Sequence, residues 1–290
     1  MLAGVDVGGT KIAAGLVDGG EVVRSLRRPT PTGGASAVLD VVVRLLRDLA
    51  EPFVSVGVGA PGIVREGTVC SATDVVPGWA GAKVRDRLSD EFGVPVAVDN
   101  DVRAMAYGES HRSPGERGLV LYVSVGTGLG GALVCDGRLV HGTHGSAGEI
   151  AHLLTPVRGA RPCGCGHGDH LEAVVAGPAI EAEYAARAGK SFTLPEIVTR
   201  DGDPIATAVV VDAGRVLGRV LSGFVTGADI DTVVLGGGAG LGLGEPFARA
   251  VAEALAAEVR PTGRAVPVRL ARLGPDAPIV GAALLAAELA

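Results

Sequence analysis

Short apolar runs punctuated by glycine alternate along this chain with longer stretches at helical spacing. Residues 2–7, 12–17 and 22–26 each read as a strand, with a hairpin turn at Asp18-Gly19-Gly20 between the last two. Residues 35–50 place Val38, Val41, Val42, Leu45, Leu46 and Leu49 on one helical face, and residues 53–58 return to a buried-strand pattern. An amphipathic helix is predicted over 82–92 and a buried strand over 94–98. That strand gives way at Asp99-Asn100-Asp101 to a helix over 102–109. The last third is mostly helical, with helices expected over 178–188, 204–228, 245–259 and 278–289 and one strand over 232–235. Strands alternating with helices make this an α/β protein.

One pattern occurs twice. Strand, glycine turn, strand, Asp-Gly turn and strand run from Val5 through Val22 and again from Val123 through Val140. Gly8 matches Gly126, and Asp18-Gly19 matches Asp136-Gly137, all at an offset of 118. A repeat of this size predicts two related lobes, each offering a glycine hairpin to a shared cleft. Adjacent glycines let backbone N–H groups approach a phosphate, and Thr10 adds a hydroxyl donor. Neither the P-loop spacing nor the strand-to-helix context of a Rossmann turn is present. The lobes are expected at 1–107, joined by the returning helix 276–290, and at 108–275.

Composition narrows the function. The chain has 290 residues, enough for two cores. Its formal charge is −6 and aromatics make up 3%, which argues against a nucleic-acid surface. Lys11, Lys83 and Lys190 are the only lysines among 26 basic residues, the mark of a coding bias rather than of a function. Mean hydropathy is +0.38, yet charges, glycines and prolines interrupt the apolar runs, so no membrane span is expected. The first residues enter a strand without a basic and apolar signal segment, which predicts a cytoplasmic protein.

Two clusters carry candidate chemistry. Asp99 and Asp101 stand where a strand ends, the place at which open α/β sheets bind ligands. Either could cap the following helix, and Asp101 could equally serve as a general base. Residues 141–172 hold five of the six histidines and the closely spaced Cys163 and Cys165. A long irregular segment of this kind needs a reason, and zinc, which favours four Cys and His ligands, supplies one. The two thiols leave two ligands to be found among His141, His144, His152, His167 and His170.

The ordered set of motifs resembles the ROK family of sugar kinases and sugar-responsive repressors. The matching pieces are Asp6-Val-Gly-Gly-Thr-Lys11, Gly59-Ala-Pro-Gly62, Pro77-Gly-Trp79, Val98-Asp-Asn-Asp101, Gly126-Thr-Gly128, Gly148-Glu-Ile-Ala-His152, Cys163-Gly-Cys-Gly166, Glu172 and Gly236-Gly-Gly238. The resemblance implies a two-lobed actin-like ATPase or sugar-kinase (ribonuclease H-like) fold with a duplicated strand-hairpin core. It implies ATP-dependent phosphorylation of the 6-hydroxyl of a hexose, glucose first. Kanosamine, N-acetylmannosamine or N-acetylglucosamine are the alternative acceptors, and a sugar-sensing regulator without kinase activity is the alternative of another class. Repressors in the family carry an extra N-terminal helix-turn-helix, for which no room is seen ahead of the strand at residue 2.

Residue by residue, the resemblance makes Asp101 the catalytic base. Gly59, Ala60, Pro61, Gly62, Asn100, Asp101, Glu149, His152 and Glu172 would meet the sugar. Gly8, Gly9, Thr10, Lys11, Gly126, Thr127 and Gly128 would hold phosphates, Asp6 would lie near Mg²⁺, and Gly236, Gly237 and Gly238 would face the adenosine. His152, Cys163 and Cys165 would bind a structural Zn²⁺. The partners implied are a hexose and ATP, with neither nucleic acid nor membrane, in a homodimer or homotetramer. Three positions depart from the family pattern. His170 replaces a third cysteine and becomes the expected fourth zinc ligand, with His167 in reserve. Ala151 replaces a glycine before the zinc histidine. Val75 stands where an asparagine usually precedes the Pro-Gly-Trp run, which leaves sugar preference open.

Overall fold

The computed structural model describes residues 1–72, 76–113, 117–259 and 265–289. Val75 lies outside them. The chain divides into two compact units. The first comprises residues 1–116, 137–147 and 275–290, and the second comprises 117–136 and 148–274.

In the first unit β1 (Leu2–Val7), β2 (Lys11–Asp18) and β3 (Glu21–Pro29) form an antiparallel meander, followed by α1 (Gly34–Asp48). Next come β4 (Val56–Ala60), the small hairpin β5 (Ile63–Arg65) and β6 (Thr68–Ser71), and α2 (Val84–Phe92). The sheet is completed by β7 (Val96–Asn100), which leads into α3 (Asp101–His111). Strand order is β3-β2-β1-β4-β7, and β1, β4 and β7 run parallel. Their carboxyl ends therefore share one edge, where open sheets bind ligands. The apolar face of α1, including Val38, Val42, Leu45 and Leu46, packs on the sheet. Trp79 joins this core at 1% exposure.

In the second unit β8 (Leu119–Val125) and β9 (Leu129–Cys135) repeat the opening hairpin; β10 (Arg138–Val140), which follows a tight turn, lies in the 137–147 segment of the first unit. The chain then forms α4 (Glu172–Val175), α5 (Gly177–Ala188), α6 (Leu194–Val198) and α7 (Pro204–Ala228). It continues through β11 (Thr232–Gly236), α8 (Gly238–Val259) and β12 (Val268–Leu270). β11 pairs in parallel with both β8 and β12. Asp203 caps α7 by accepting from the N–H groups of Ile205 and Ala206 at 2.9 and 3.1 Å, and Pro204 fills the first helical position, where no N–H is needed.

Two expectations change in detail. The repeat holds one offset only up to the glycine turns. Val7 pairs with Ile12, whereas Val125 pairs with Leu129, so the second turn is one residue shorter. Beyond it the equivalent tight turns centre on Gly19-Gly20 and Asp136-Gly137, all four residues at positive φ, an offset of 117. The shared Asp-Gly dipeptides therefore hold different places in their turns. The glycines after β11 also do not form an extended turn. Helix begins at once at Gly238 and breaks at Gly244, whose φ of 63° suits glycine, just ahead of Pro246.

The final helix, α9 (Ala277–Ala287), returns to the first unit and lies against β1, β4 and α3. It can approach that closely because glycines face it. A Cβ at Gly57 would strike the backbone carbonyl of Ala282, and one at Gly281 would strike that of Ala104. Gly57→Ala should therefore cost about 1–3 kcal/mol or more, since backbone on both sides cannot yield. At Gly223, within α7, a Cβ meets open space, so Gly223→Ala should be neutral or stabilising by about 0.5–1 kcal/mol. Melting temperatures of the two variants should move in opposite directions.

Candidate active site

Strand register assembles the edge of the first unit. Asp6 lies beside Gly59, Gly59 beside Asp99, and Ala60 beside Asn100. The cap of α3 is Asn100 rather than either aspartate. Its Oδ1 accepts from the N–H groups of Val102 and Arg103 at 2.9 and 3.2 Å, while its Nδ2 donates to the Gly62 carbonyl at 3.1 Å. Asp101, the first helical residue, adds a second acceptor to the Val102 N–H through Oδ1 at 3.0 Å. Gly62 sits at φ 96°, and Pro61 is held by a 3.1 Å hydrogen bond from the Trp79 indole N–H to its carbonyl. The only tryptophan thus anchors the Gly59–Gly62 turn from within the core.

Asp6 and Asp101 are close enough to repel. Burial, then the Asp101 charge, push the Asp6 carboxyl up to about 7, with Lys11 and Arg27 opposing. Next to it, the Gly8 N–H donates to the Lys11 carbonyl at 3.0 Å. Thr30 donates its hydroxyl to Gly8 and its N–H to Thr10, at 2.6 and 3.0 Å. Thr30 was not foreseen as part of this turn, since only the β2–β3 register brings it there.

In the second unit, Gly126–Gly128 and Gly236–Gly238 share an edge, because β8 and β11 pair with Ser124 beside Gly236. A Cβ at Gly237 would meet the Val125 main chain and the Ser124 hydroxyl, so Gly237 packs directly on the end of β8. Glu172, expected to meet a sugar, also has a structural task. One carboxylate oxygen accepts from the Leu129 N–H and the other from the Gly164 N–H, both at 3.1 Å. It joins the glycine turn to the cysteine loop. Glu149 is exposed, at the head of the segment leading to His152.

The cysteine loop converges on a point. Pairing of 153–155 with 169–171 sets His152 beside His170, and their Nδ1 atoms lie 3.2 Å apart. The Cys163 and Cys165 Sγ atoms are 2.9 Å apart, and the four sulfur–nitrogen separations fall between 3.1 and 3.7 Å. These six separations are near the edges of a tetrahedron about an ion with bonds of about 2.0–2.3 Å. Burial, then the neighbouring Cys165 thiol, push the Cys163 thiol up to about 12. A dication would reverse that shift, so the donor set fits zinc. His167 stacks on the His170 ring and lies outside the four.

The two sheets, each opening with a strand, glycine turn and strand, define a protein of the actin-like ATPase fold. The chain belongs to the ROK family, whose model matches residues 2–289. It is 33% identical over 290 residues to the N-acetylmannosamine kinase of Salmonella paratyphi B, covering 97% of each chain. Identity to the glucokinase of Halalkalibacterium halodurans is 30% over 305 residues, covering 96% of this chain and 92% of that one. A ROK family glucokinase from Streptomyces griseus, solved with glucose and AMPPNP, superposes with a TM-score of 0.86 at 29% identity, covering 99% of both. No described helix is long and apolar enough to cross a membrane.

The raised Asp6 pKa has a consequence for stability. Its ordinary value is 3.8, so the folded state binds the proton more tightly than the unfolded chain does. The resulting stabilisation is complete below 3.8 and is lost as pH rises through about 7. Asp6→Asn should abolish this dependence. The melting temperature of the variant minus that of the wild type should grow from pH 4 to pH 7 and then level off. A difference that stays flat across this range would contradict the shift.

Proposed function

We propose that this protein transfers the γ-phosphoryl group of ATP to the 6-hydroxyl of a hexose, with glucose the first candidate. The observation that carries the reading is the register that lines up Asp6, Gly59 and Asp99 and places Asn100 and Asp101 at the same strand end. Asp101 is the base. It takes the hydroxyl proton as the sugar oxygen forms its bond to the γ-phosphorus and the bond to the ADP oxygen breaks. Phosphoryl transfer asks mainly for positioning and charge stabilisation. Gly8–Lys11 and Gly126–Gly128 offer backbone and hydroxyl donors to phosphates, and Gly236–Gly238 a bare surface to adenosine. Mg²⁺, when bound, neutralises phosphate charge, and the mutual repulsion of Asp6 and Asp101 suits a cation beside them. Glu149, Glu172 and His152 are read as partners of sugar hydroxyls, Glu172 through lone pairs left after its two backbone bonds.

A second reading, an N-acetylated hexose as acceptor, draws on the similarity to an N-acetylmannosamine kinase. ADP release with ATP and a panel of hexoses, amino sugars and N-acetylated hexoses separates the two. The use of ATP fits a cytoplasmic setting.

Asp101→Asn tests the base. The variant keeps its size, and the cap belongs to Asn100, so folding should be retained. Turnover should fall about 10²–10⁴-fold with ATP binding unchanged. Near-normal kcat would remove Asp101 from the mechanism.

Zn²⁺ is read as a structural ion held by His152, Cys163, Cys165 and His170, and it would fix the loop from which Glu172 reaches Leu129. Purified protein should carry about one zinc per chain. Cys165→Ser should lose the metal and melt at a lower temperature. Zinc-free protein with an unchanged melting curve would refute the assignment.

A further inference from the structure

Asp99, Arg103 and His141 form a cluster that the proposed reaction does not use. Arg103 is 2% exposed and Asp99 8%. One Asp99 oxygen accepts from Arg103 Nη1 at 3.2 Å and from the Asn100 N–H at 2.7 Å, and the other lies 2.6 Å from His141 Nε2. Arg103 Nη2 donates to the Gly145 carbonyl, while its Nε has no hydrogen-bond partner. Burial acts to raise the Asp99 pKa. The bonds from His141 and the Asn100 N–H, with the Arg103 charge, outweigh it and hold the carboxyl below its ordinary value.

A buried ion pair with one nitrogen unsatisfied is a poor source of stability, and apolar residues of similar volume often do as well. Its geometry gives it another use. Asp99 is the last residue but one of β7, and Arg103 lies in the first turn of α3. The ion pair therefore straddles Asn100 and Asp101, closing the strand–helix junction from both sides. Through Asn100 N–H it also fixes the peptide that leads into the cap. The same arginine ties down Gly145, and Arg65 donates to the neighbouring His144 carbonyl at 2.7 Å. The stretch leading to Gly148 and Glu149 is thus fastened to the same junction.

We propose that Asp99, held by Arg103 and His141, positions Asp101 and Asn100 for the transfer. This rests on Asp101 being the base. Misplacement of a reacting group by about 1 Å can cost about 10²-fold in rate. Neither Arg103 nor His141 is assigned to the substrates, so their variants report on aim alone.

The test uses four variants with ATP and the preferred sugar. Arg103→Met and His141→Ala remove the two grips on Asp99. Arg103→Lys keeps the charge, and His141→Gln keeps a donor. His141 is half-exposed, so its variants should fold even if Arg103→Met does not. Per folded enzyme, His141→Ala and Arg103→Met should lose about 10–100-fold in kcat. KM for the sugar should rise, and KM for ATP should stay within about twofold. Lys and Gln should each recover part of the loss. A purely structural role predicts lower melting temperatures with kcat and both KM values unchanged per folded molecule, and that result overturns the proposal. Asp101→Asn is measured alongside. If it is inactive while His141→Ala is normal, the positioning role fails and the base stands. If Asp101→Asn turns over normally, both fall.

Discussion

One side chain, Asn100, settles the geometry on which the first unit depends. A strand that becomes a helix without a loop leaves the first helical N–H groups without partners. Asn100 satisfies two of them with Oδ1 and spends Nδ2 on the Gly62 carbonyl. The start of α3 and the Gly59–Gly62 turn are thereby fixed to one another through a single planar amide. Asp could cap the helix but has no donor for Gly62, and Ser is too short to do both. The residue that follows inherits a defined direction at no further cost.

The second unit solves a related problem differently. Its glycine turn is one residue shorter, and it is braced from outside by Glu172, whose carboxylate bridges Leu129 and Gly164. The first turn is braced from within its own sheet by Thr30. In both cases a short polar bond substitutes for the side-chain packing that glycines cannot provide. A Cβ at Gly128 would come within 2.9 Å of Glu172 Oε2, so the bare backbone there is needed for the brace itself.

Much of this was legible in the sequence where periodicity was strong. The spans of β1 and α7 match the expected 2–7 and 204–228, because apolar runs there end at clear glycine, proline or Asp-cap signals. The small hairpin β5–β6, α6 and β12 were missed, since three to five residues carry too little pattern to stand out. Spacing alone left the histidine partners of the cysteines open among five candidates, and the resemblance pointed to His152 and His170. The pairing of 153–155 with 169–171 brings those two beside the thiols, a contact no local pattern encodes. Asp99 and Arg103 are four apart, which on a helix face would read as an ordinary surface pair. Only the structure shows the arginine buried.

The return of α9 has a consequence for how the chain is made. The core beneath β1 and β4 is closed by Ile279, Ala282 and Ala283. A growing polypeptide emerges from the ribosome N-terminus first, at about 5–20 residues per second. The strands at the front of this chain must therefore wait, with one sheet face uncovered, while the whole 148–274 region is synthesised and free to fold. During that interval the earliest-made part of the protein is the least finished, and it is there that a chaperone would have most to protect.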